Sequence, residues 1–387
     1  MSPLRSLHKR VLILGGYGTF GARIAEMLAS EPGIQIIIAG RDRFKAELLA
    51  NRLHHRFPDT PIEGLRLDHS SINLPAQLHD LNLQLLIHCA GPFQGQGYHI
   101  AAACIKNRIN YIDIADATDF VCGISALNSS AEQAGIQVIS GASSLPALSS
   151  AALGTLTRPF SQVDDIDITI APAHRISRGL ATVRSGFESL GREFSITRNG
   201  TRETTYTGDD FRAINIAHPV GKRWVCNFDV PDLQLIPAHI AGVRNVRFGT
   251  GLQPRTLQVG LTLCAKLARI KLPGAFHSLL PRLTRMGQQL AARWPGGSHH
   301  GGMAIEVSGS TDNAANVRAR WQILGLNGDG PWIPAAPAAA MGKKILRGES
   351  TQPGARPCWQ LLQLEVILEE LSPFAVVTTL EQPQSAA

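Results

Sequence analysis

The sequence predicts an α/β fold, a doubly wound parallel sheet carrying a second, α+β part, and three observations predict it. Val11-Leu12-Ile13-Leu14 is an unbroken apolar run that opens directly into Gly15-Gly16-Tyr17-Gly18-Thr19-Phe20-Gly21 and then into a helical pattern. A strand buried on both faces reads this way, because helices cover a parallel sheet above and below. Apolar runs and helix-period stretches then alternate as far as Ser140. Beyond Asp167 the period shifts to two, and Asn199-Gly200 separates two alternating stretches. Asn-Gly suits the type I′ turn of an antiparallel hairpin.

The elements follow in order. Ala22, Ile24, Ala25 and Leu28 share one helical face, and Glu31-Pro32-Gly33 stops that helix before the second apolar run, Ile34 to Ala39. Strand, glycine turn, helix and strand within about thirty residues give meaning to a G-x-G-x-x-G match, here Gly16, Gly18 and Gly21. The first glycine allows a sharp turn, the second a close approach of backbone to a diphosphate, and the third tight packing of helix on sheet. An anion is then held by the free N–H groups at the positive end of the helix. Residues 15–21, Gly15, Gly16, Tyr17, Gly18, Thr19, Phe20 and Gly21, are therefore candidate cofactor-binding residues. A glycine turn serving strand-to-helix packing alone is the plainer reading.

The end of the second strand bears on which dinucleotide binds. An acid there holds the ribose 2′-OH of NAD, whereas an arginine accommodates the 2′-phosphate of NADP. The chain runs into Gly40-Arg41-Asp42-Arg43. Arg41 points to NADP, and Asp42 keeps NAD as the lesser alternative.

Phe44 to Phe57 reads as a helix, Ile62 to Leu67 as a third strand ending at Asp68, and Ser71 to Leu81 as a short helix. Asp68 either accepts from an adenine amine or caps a turn. Leu83 to His88 is a fourth strand opening into Cys89-Ala90-Gly91-Pro92-Phe93, so that Ala90, Gly91 and Pro92 should face the first turn across the cofactor. Gly97 to Lys106 reads as a helix, Tyr111 to Ile114 as a strand, Asp119 to Gly135 as a helix closed by glycine, and Ile136 to Ser140 as a sixth strand. The candidate proton donors are Asp113 and Asp116, after the fifth strand, and His99. Against these stand a helix cap for the acids and a plain helix-face role for the histidine.

The first 155 residues resemble the NADP-binding domain of the saccharopine dehydrogenase-like (saccharopine reductase) family. GGYGTFG, AGRD, CAGPFQGQGYHIAAACIKNRINYIDIAD and AEQAGIQVISGASSLPALSSAAL carry that resemblance, and GPWIPAAPAAAMGKKILRG and GARPCWQLLQLEVILEEL extend it to the carboxyl-terminal part. It implies a Rossmann domain over 1–150, an inserted α+β substrate and dimerisation domain over 151–330, a segment 331–387 that packs back on the first domain, a small-molecule substrate and a homodimer. Gly141 to Ala147 lacks the acid and final glycine of the G-x-D-P-G-like turn in members acting on amino acids. That argues against saccharopine or another α-amino acid as substrate.

The middle of the chain alternates in strand fashion over Asp167–Ala171, Glu193–Arg198, Thr201–Thr207, Met303–Ser308 and Val317–Leu324. Helical patterns lie over Leu180–Leu190 and Leu257–Trp294, the latter broken at Pro273-Gly274 and Pro281.

Composition and spacing exclude several classes. Six cysteines stand without any C-x-x-C pair, which argues for a reduced, cytoplasmic chain without a zinc site. The pairs His54-His55 and His299-His300 lack further ligands in sequence, so no metal is expected. Met1 to Arg10 reaches the first buried run too soon for a signal peptide. The tyrosines Tyr17, Tyr98, Tyr111 and Tyr206 are followed at the fourth position by Gly21, Ala102, Ala115 and Asp210, so the Tyr-x-x-x-Lys pair of short-chain dehydrogenases is absent. The formal charge is +7, and no Asp or Glu occurs from Leu233 through Ile305. That one-sign stretch favours an anionic substrate, peripheral contact with an anionic membrane, or a plain solvated face. On the membrane reading Leu261, Leu263, Leu267 and Ile270 face inward and Lys266, Arg269 and Lys271 meet headgroups. No aromatic-basic interleaving points to nucleic acid. The expected function is an NADP-dependent oxidoreductase acting on a C=N, C=O or activated C=C bond, the alternative being a non-catalytic NADP-binding regulatory or assembly protein.

Overall fold

The computed structural model describes residues 8–175, 189–269 and 297–385. The chain divides into two units, one made of Met1–Ala151 and Pro331–Pro373, the other of Ala152–Gly330 and Phe374–Ala387.

The first unit is built on seven strands. They are β1 (Lys9–Leu14), β2 (Ile34–Gly40), β3 (Ile62–Arg66), β4 (Leu85–His88), β5 (Asn110–Asp113), β6 (Gln137–Ser140) and, late in the chain, β15 (Gly354–Pro357). All pair in parallel in the order β15-β6-β5-β4-β1-β2-β3. The chain therefore starts mid-sheet, runs outward through β2 and β3, and crosses back to lay β4 on the other side of β1. Ligands of such sheets bind where the direction of winding reverses, beyond the carboxyl ends of the strands.

Helices cover both faces. On one, Leu12, Leu14, Ile37, Leu86, Tyr111 and Val138 pack against α3 (Leu74–Asp80), α4 (His99–Lys106) and α6 (Asn128–Ala134). On the other lie α1 (Gly21–Leu28) and the helix Ala336–Arg347, whose Gly342 approaches Leu85, Ile87 and Leu28 closely. Val11 to Ile13, Ile36 to Ala39 and Leu85 to Ile87 are wholly buried. Each such aliphatic side chain contributes about 2 kcal/mol by leaving water. Arg347 clamps the late helix to the end of α1 by a bidentate pair with Glu31, at 2.8 and 2.6 Å.

Sequence and structure differ at one helix here. The stretch expected as one helix over Asp119–Gly135 is α5 (Thr118–Gly123), a 3₁₀ turn (Ile124–Leu127) and α6. Gly123 sits at the break, where the Tyr98 hydroxyl occupies the space a Cβ would need.

The second unit holds β7 (Gln162–Ala171), β8 (Glu193–Arg198), β9 (Thr201–Tyr206), β10 (Arg212–Ile216), β11 (Gly221–Asn227), β12 (Asn245–Thr250), β13 (Gly301–Ser310), β14 (Val317–Gly325) and β16 (Val376–Ser385). The path is β10-β11-β12-β7-β13-β14-β16, with β8 on β12 and β9 on β8. β12 and β7 are parallel, and the other pairs are antiparallel. Asn199 and Gly200 both have positive φ, 52° and 75°, as a type I′ turn requires.

Two expectations are corrected in this unit. Residues 374–387, read with 331–387 as packing on the first domain, belong to the second unit: β16 pairs with β14 from Gly325↔Val376 to Val317↔Ser385. Val376-Val377-Thr378-Thr379 suits a strand, and the open edge of β14 satisfies its backbone. The second correction concerns the helix Arg255–Arg269. Leu261 and Ala265 are buried, but Leu263 and Leu267 are exposed, because residues two apart on a helix face opposite ways. Leu261 therefore faces the protein while Leu263 and Leu267 face outward, so only the place of Leu261 in the stripe assigned on the membrane reading is corrected. The expected helix over Leu180–Leu190 falls almost wholly outside the described residues. So do Ile270, Lys271, Pro273-Gly274, Pro281 and the remainder of the helical stretch to Trp294.

The acid-free stretch is also less bare in space than in sequence. Arg247 pairs with Asp167 at 3.5 Å and Arg269 with Asp209 at 2.5 Å. Arg255 lies over the Trp224 ring. Among the described residues no helix is long and apolar enough to cross a membrane.

Candidate functional site

The glycine turn leaves β1 at the point of winding reversal. Gly15 and Gly16 donate their amides to Ala39 O, at 2.8 and 3.1 Å, which holds the turn to β2. Gly15 is the residue in the left-handed region (φ 75°), and a Cβ there would lie 2.9 Å from Ala90 N. The sharp turn expected of Gly16 is thus made one residue earlier. Gly16 serves packing, since its Cβ would meet Ile13 O at 2.7 Å. Gly21 lets α1 approach the turn: a Cβ would stand 2.5 Å from Gly15 O and 2.8 Å from Gly16 Cα. Gly18 is different, exposed, with only Gly15 O at 3.0 Å from its added Cβ. The amides of Thr19, Phe20 and Gly21 find no acceptor among the described residues. Orphan donors at a helix start, beside an open glycine, fit the diphosphate of a dinucleotide.

At the end of β2 the Tyr17 ring lies over Gly40, and its hydroxyl accepts from Asp42 N at 3.0 Å. Asp42 caps α2 (Arg43–Arg56), accepting from Lys45 N at 3.2 Å and pairing with Lys45 Nζ at 3.1 Å. Arg43 is turned to Glu47 at 2.7 Å. Arg41 is exposed, and among the described residues no carboxylate lies within ion-pair distance of it. Asp68 accepts from the Ser70 hydroxyl and amide at 2.7 and 3.1 Å, which holds its carboxyl below the usual range, with Arg41 adding a weaker pull. The acid that favoured NAD is thus engaged in a helix cap, and the arginine that favours NADP is open to an anion. Arg41→Ala is expected to weaken NADPH at least tenfold and NADH less than twofold, on the scale of a charge-assisted hydrogen bond, about 1.5–3 kcal/mol. Titration with both coenzymes checks this, and equal losses would refute the assignment.

The second turn, Cys89 to Pro92, abuts the first through the Gly15 contact with Cys89 and Ala90. Gln96 Nε2 donates to Ala90 O at 3.1 Å and Pro92 O at 2.5 Å, bracing the Ala90-Gly91-Pro92 backbone. The three candidate proton donors sit differently. Asp113 is wholly buried, and its Oδ1 accepts from Ser140 Oγ (2.9 Å), Gly141 N (2.8 Å) and Ala115 N (3.0 Å). These bonds tie the end of β5 to the end of β6, yet burial still pushes the carboxyl up to about 6. Asp116 is exposed and accepts from Gln94 Nε2 at 3.3 Å, beside the second turn. His99 is exposed at the start of α4, with Nε2 3.0 Å from His69 O.

Sequence reasoning overlooked a buried polar cluster next to these residues. His88 ends the apolar run of β4 and is not among the candidates named above. Its Nδ1 is 3.0 Å from the Tyr111 hydroxyl, and its ring meets Phe93 edge-on. Burial pushes His88 down to about 3. A histidine ending an otherwise apolar strand was the available signal. Elsewhere His54 Nδ1 lies 3.1 Å from Thr60 O, and His300 Nδ1 accepts from Asn327 N at 3.2 Å. Among the described residues no three His, Cys, Asp or Glu side chains form a group suited to a metal.

Comparison with known proteins finds likeness in the sequence of the first unit and in the fold. Residues 11–139 match the sequence profile of the saccharopine dehydrogenase NADP binding domain. No curated protein matches the chain. Among solved structures, apo saccharopine dehydrogenase (L-Glu forming) from Saccharomyces cerevisiae is similar in fold over 96% of this chain and 99% of its own, with TM-score 0.65 and 13% identity. A short-chain dehydrogenase from Sphingobium yanoikuyae in complex with NADPH matches over 34% of this chain and 69% of its own, with TM-score 0.29 and 22% identity. An alcohol dehydrogenase from Comamonas testosteroni matches over 34% and 70%, with TM-score 0.27 and 20% identity.

Proposed function

We propose that this chain, a saccharopine dehydrogenase-like oxidoreductase whose cofactor is NADP, moves a hydride to or from a C=N, C=O or activated C=C bond of a small anionic substrate. The observation that carries the reading is the set of amides at the start of α1 that find no acceptor among the described residues, with Gly18 open beside them and Arg41 exposed. The nicotinamide supplies the hydride, and the chain supplies placement and a proton. The amides of Thr19, Phe20 and Gly21 would hold the diphosphate and Arg41 the 2′-phosphate, which would leave the turns after β4, β5 and β6 to the nicotinamide end. Of the three candidate donors, Asp116 is put forward for proton transfer because it is exposed beside the second turn, whereas Asp113 is buried in three hydrogen bonds. His99 is the second choice, lying farther along at the start of α4.

The substrate and the homodimer contact implied by the family resemblance are assigned to the second unit, and a cytoplasmic setting to a chain whose six cysteines form no C-x-x-C pair. Purified protein incubated with NADPH and a panel of imines, oxo acids and enoyl thioesters tests the reaction class. NADPH binding without turnover on any of them would favour a non-catalytic NADP-binding role. On the substrate that turns over, Asp116→Asn is expected to lower kcat by about 10²–10⁴-fold, the usual worth of a general acid, with NADPH affinity unchanged. An unaltered kcat would move the role to another group.

A further inference from the structure

We propose that His88 and Tyr111 are positioning residues that set the second turn against the nicotinamide end of the cofactor; this rests on the reading of the site given above. His88 is the last residue of β4, and Cys89 to Pro92 follows it directly. A turn placed by the strand that feeds it inherits any rotation of that strand's last side chain. The His88 ring is fixed on three sides. Tyr111 Oη lies 3.0 Å from Nδ1, the edge of Phe93 meets it with ring centroids 4.9 Å apart, and the Ala90 backbone lies beside it. Tyr111 is wholly buried on β5, and its hydroxyl is near enough to the Asp113 carboxylate to act on it.

A hydrogen bond joins His88 at the end of β4 to Tyr111 on β5, and Asp113 at the end of β5 is bonded to Ser140, Gly141 and Ala115. Those atoms stand at the carboxyl ends of β4, β5 and β6, while the diphosphate and 2′-phosphate groups are served by β1, α1 and β2. Among the described residues, the side chains of His88, Tyr111 and Asp113 make no hydrogen bond to residues 19–21 or to Arg41. Loss of the bond between His88 and Tyr111 should be felt at one end of the cofactor only. Removing one partner of a buried hydrogen bond leaves the other unsatisfied and loosens the backbone that carries it.

The test compares two ligands, NADPH and adenosine 2′,5′-bisphosphate, which carries the adenosine end without the nicotinamide. Tyr111→Phe removes a single buried oxygen. It is expected to weaken NADPH about tenfold, the scale of one buried hydrogen bond, and to shift the fluorescence of bound NADPH toward that of the free coenzyme. Affinity for the bisphosphate should stay within about twofold, since nothing it touches has changed. A second pair guards against a folding defect: His88→Asn keeps a polar group near the Nδ1 position and should retain most of the NADPH affinity that His88→Leu loses. Equal weakening of both ligands, or no change in either, would overturn the proposal. A wild-type protein that binds neither ligand would instead overturn the cofactor site itself.

Discussion

Replacing Gly21 by alanine is expected to lower the stability of the first unit by about 2 kcal/mol and to abolish measurable NADPH binding, whereas Gly18→Ala should spare stability and cost binding alone. The two glycines belong to one motif but face different surroundings. A methyl at residue 21 would stand 2.5 Å from Gly15 O and 2.8 Å from Gly16 Cα, both backbone atoms with nowhere to move. Overpacking of that kind costs about 1–3 kcal/mol or more. The better helix propensity of alanine returns about 1 kcal/mol at most. The turn must shift to admit the methyl, and the amides aimed at the diphosphate shift with it. At residue 18 the methyl meets one carbonyl at 3.0 Å and otherwise points outward. It occupies the space of the ligand, so an affinity loss of about a hundredfold is expected without a change in Tm, on the scale of one or two charge-assisted hydrogen bonds. Thermal unfolding together with NADPH titration of the two variants checks the contrast, and a stable, NADPH-binding Gly21→Ala protein would refute it.

Acid should reveal the buried cluster. His88 is held near 3, below its ordinary 6.5, so the unfolded chain takes up its proton first, and stability is lost as pH falls from about 6.5 toward 3. Asp113 is raised to about 6 from 3.8, so its burial disfavours the ionised form. That cost is present above pH 6 and is relieved as pH falls toward 3.8. Between about 6 and 3.8 the two slopes have opposite sign and nearly cancel. Asp113→Asn leaves an acceptor for Ser140, Gly141 and Ala115 but removes the carboxyl titration. The variant should therefore lose roughly 3 kcal/mol more than the wild type between pH 6.5 and pH 4, the size of a two-unit shift. Denaturant unfolding at several pH values measures this difference, and parallel curves for the two proteins would refute the assignment of the cluster.

How far the site was legible depended on where its information resides. The glycine turn, Arg41 and the Asn199-Gly200 hairpin could be read because each rests on neighbours in sequence. The strands β10, β11, β12, β15 and β16 and the helix Asp232–His239 were not anticipated. Gly354-Ala355-Arg356-Pro357 has no strand signature of its own and becomes an edge strand by pairing with β6. Two arginines of the acid-free stretch 233–305, Arg247 and Arg269, meet acids outside it, Asp167 and Asp209, and only folding brings them together.

The sequence by itself determined that a buried strand hands over to a helix through glycines, and that an arginine follows the next strand. Both follow from local constraints, since backbone room and the period of apolar residues are properties of consecutive positions. Tertiary structure alone decided that Gly15 makes the turn, that Asp42 and Arg43 are engaged while Arg41 is open, and that Asp113 closes β5 on β6. It alone brought His88 to Tyr111. Those outcomes depend on which distant groups satisfy each polar atom, and a buried hydrogen-bond partner can come from any part of the chain that the sheet order lays alongside.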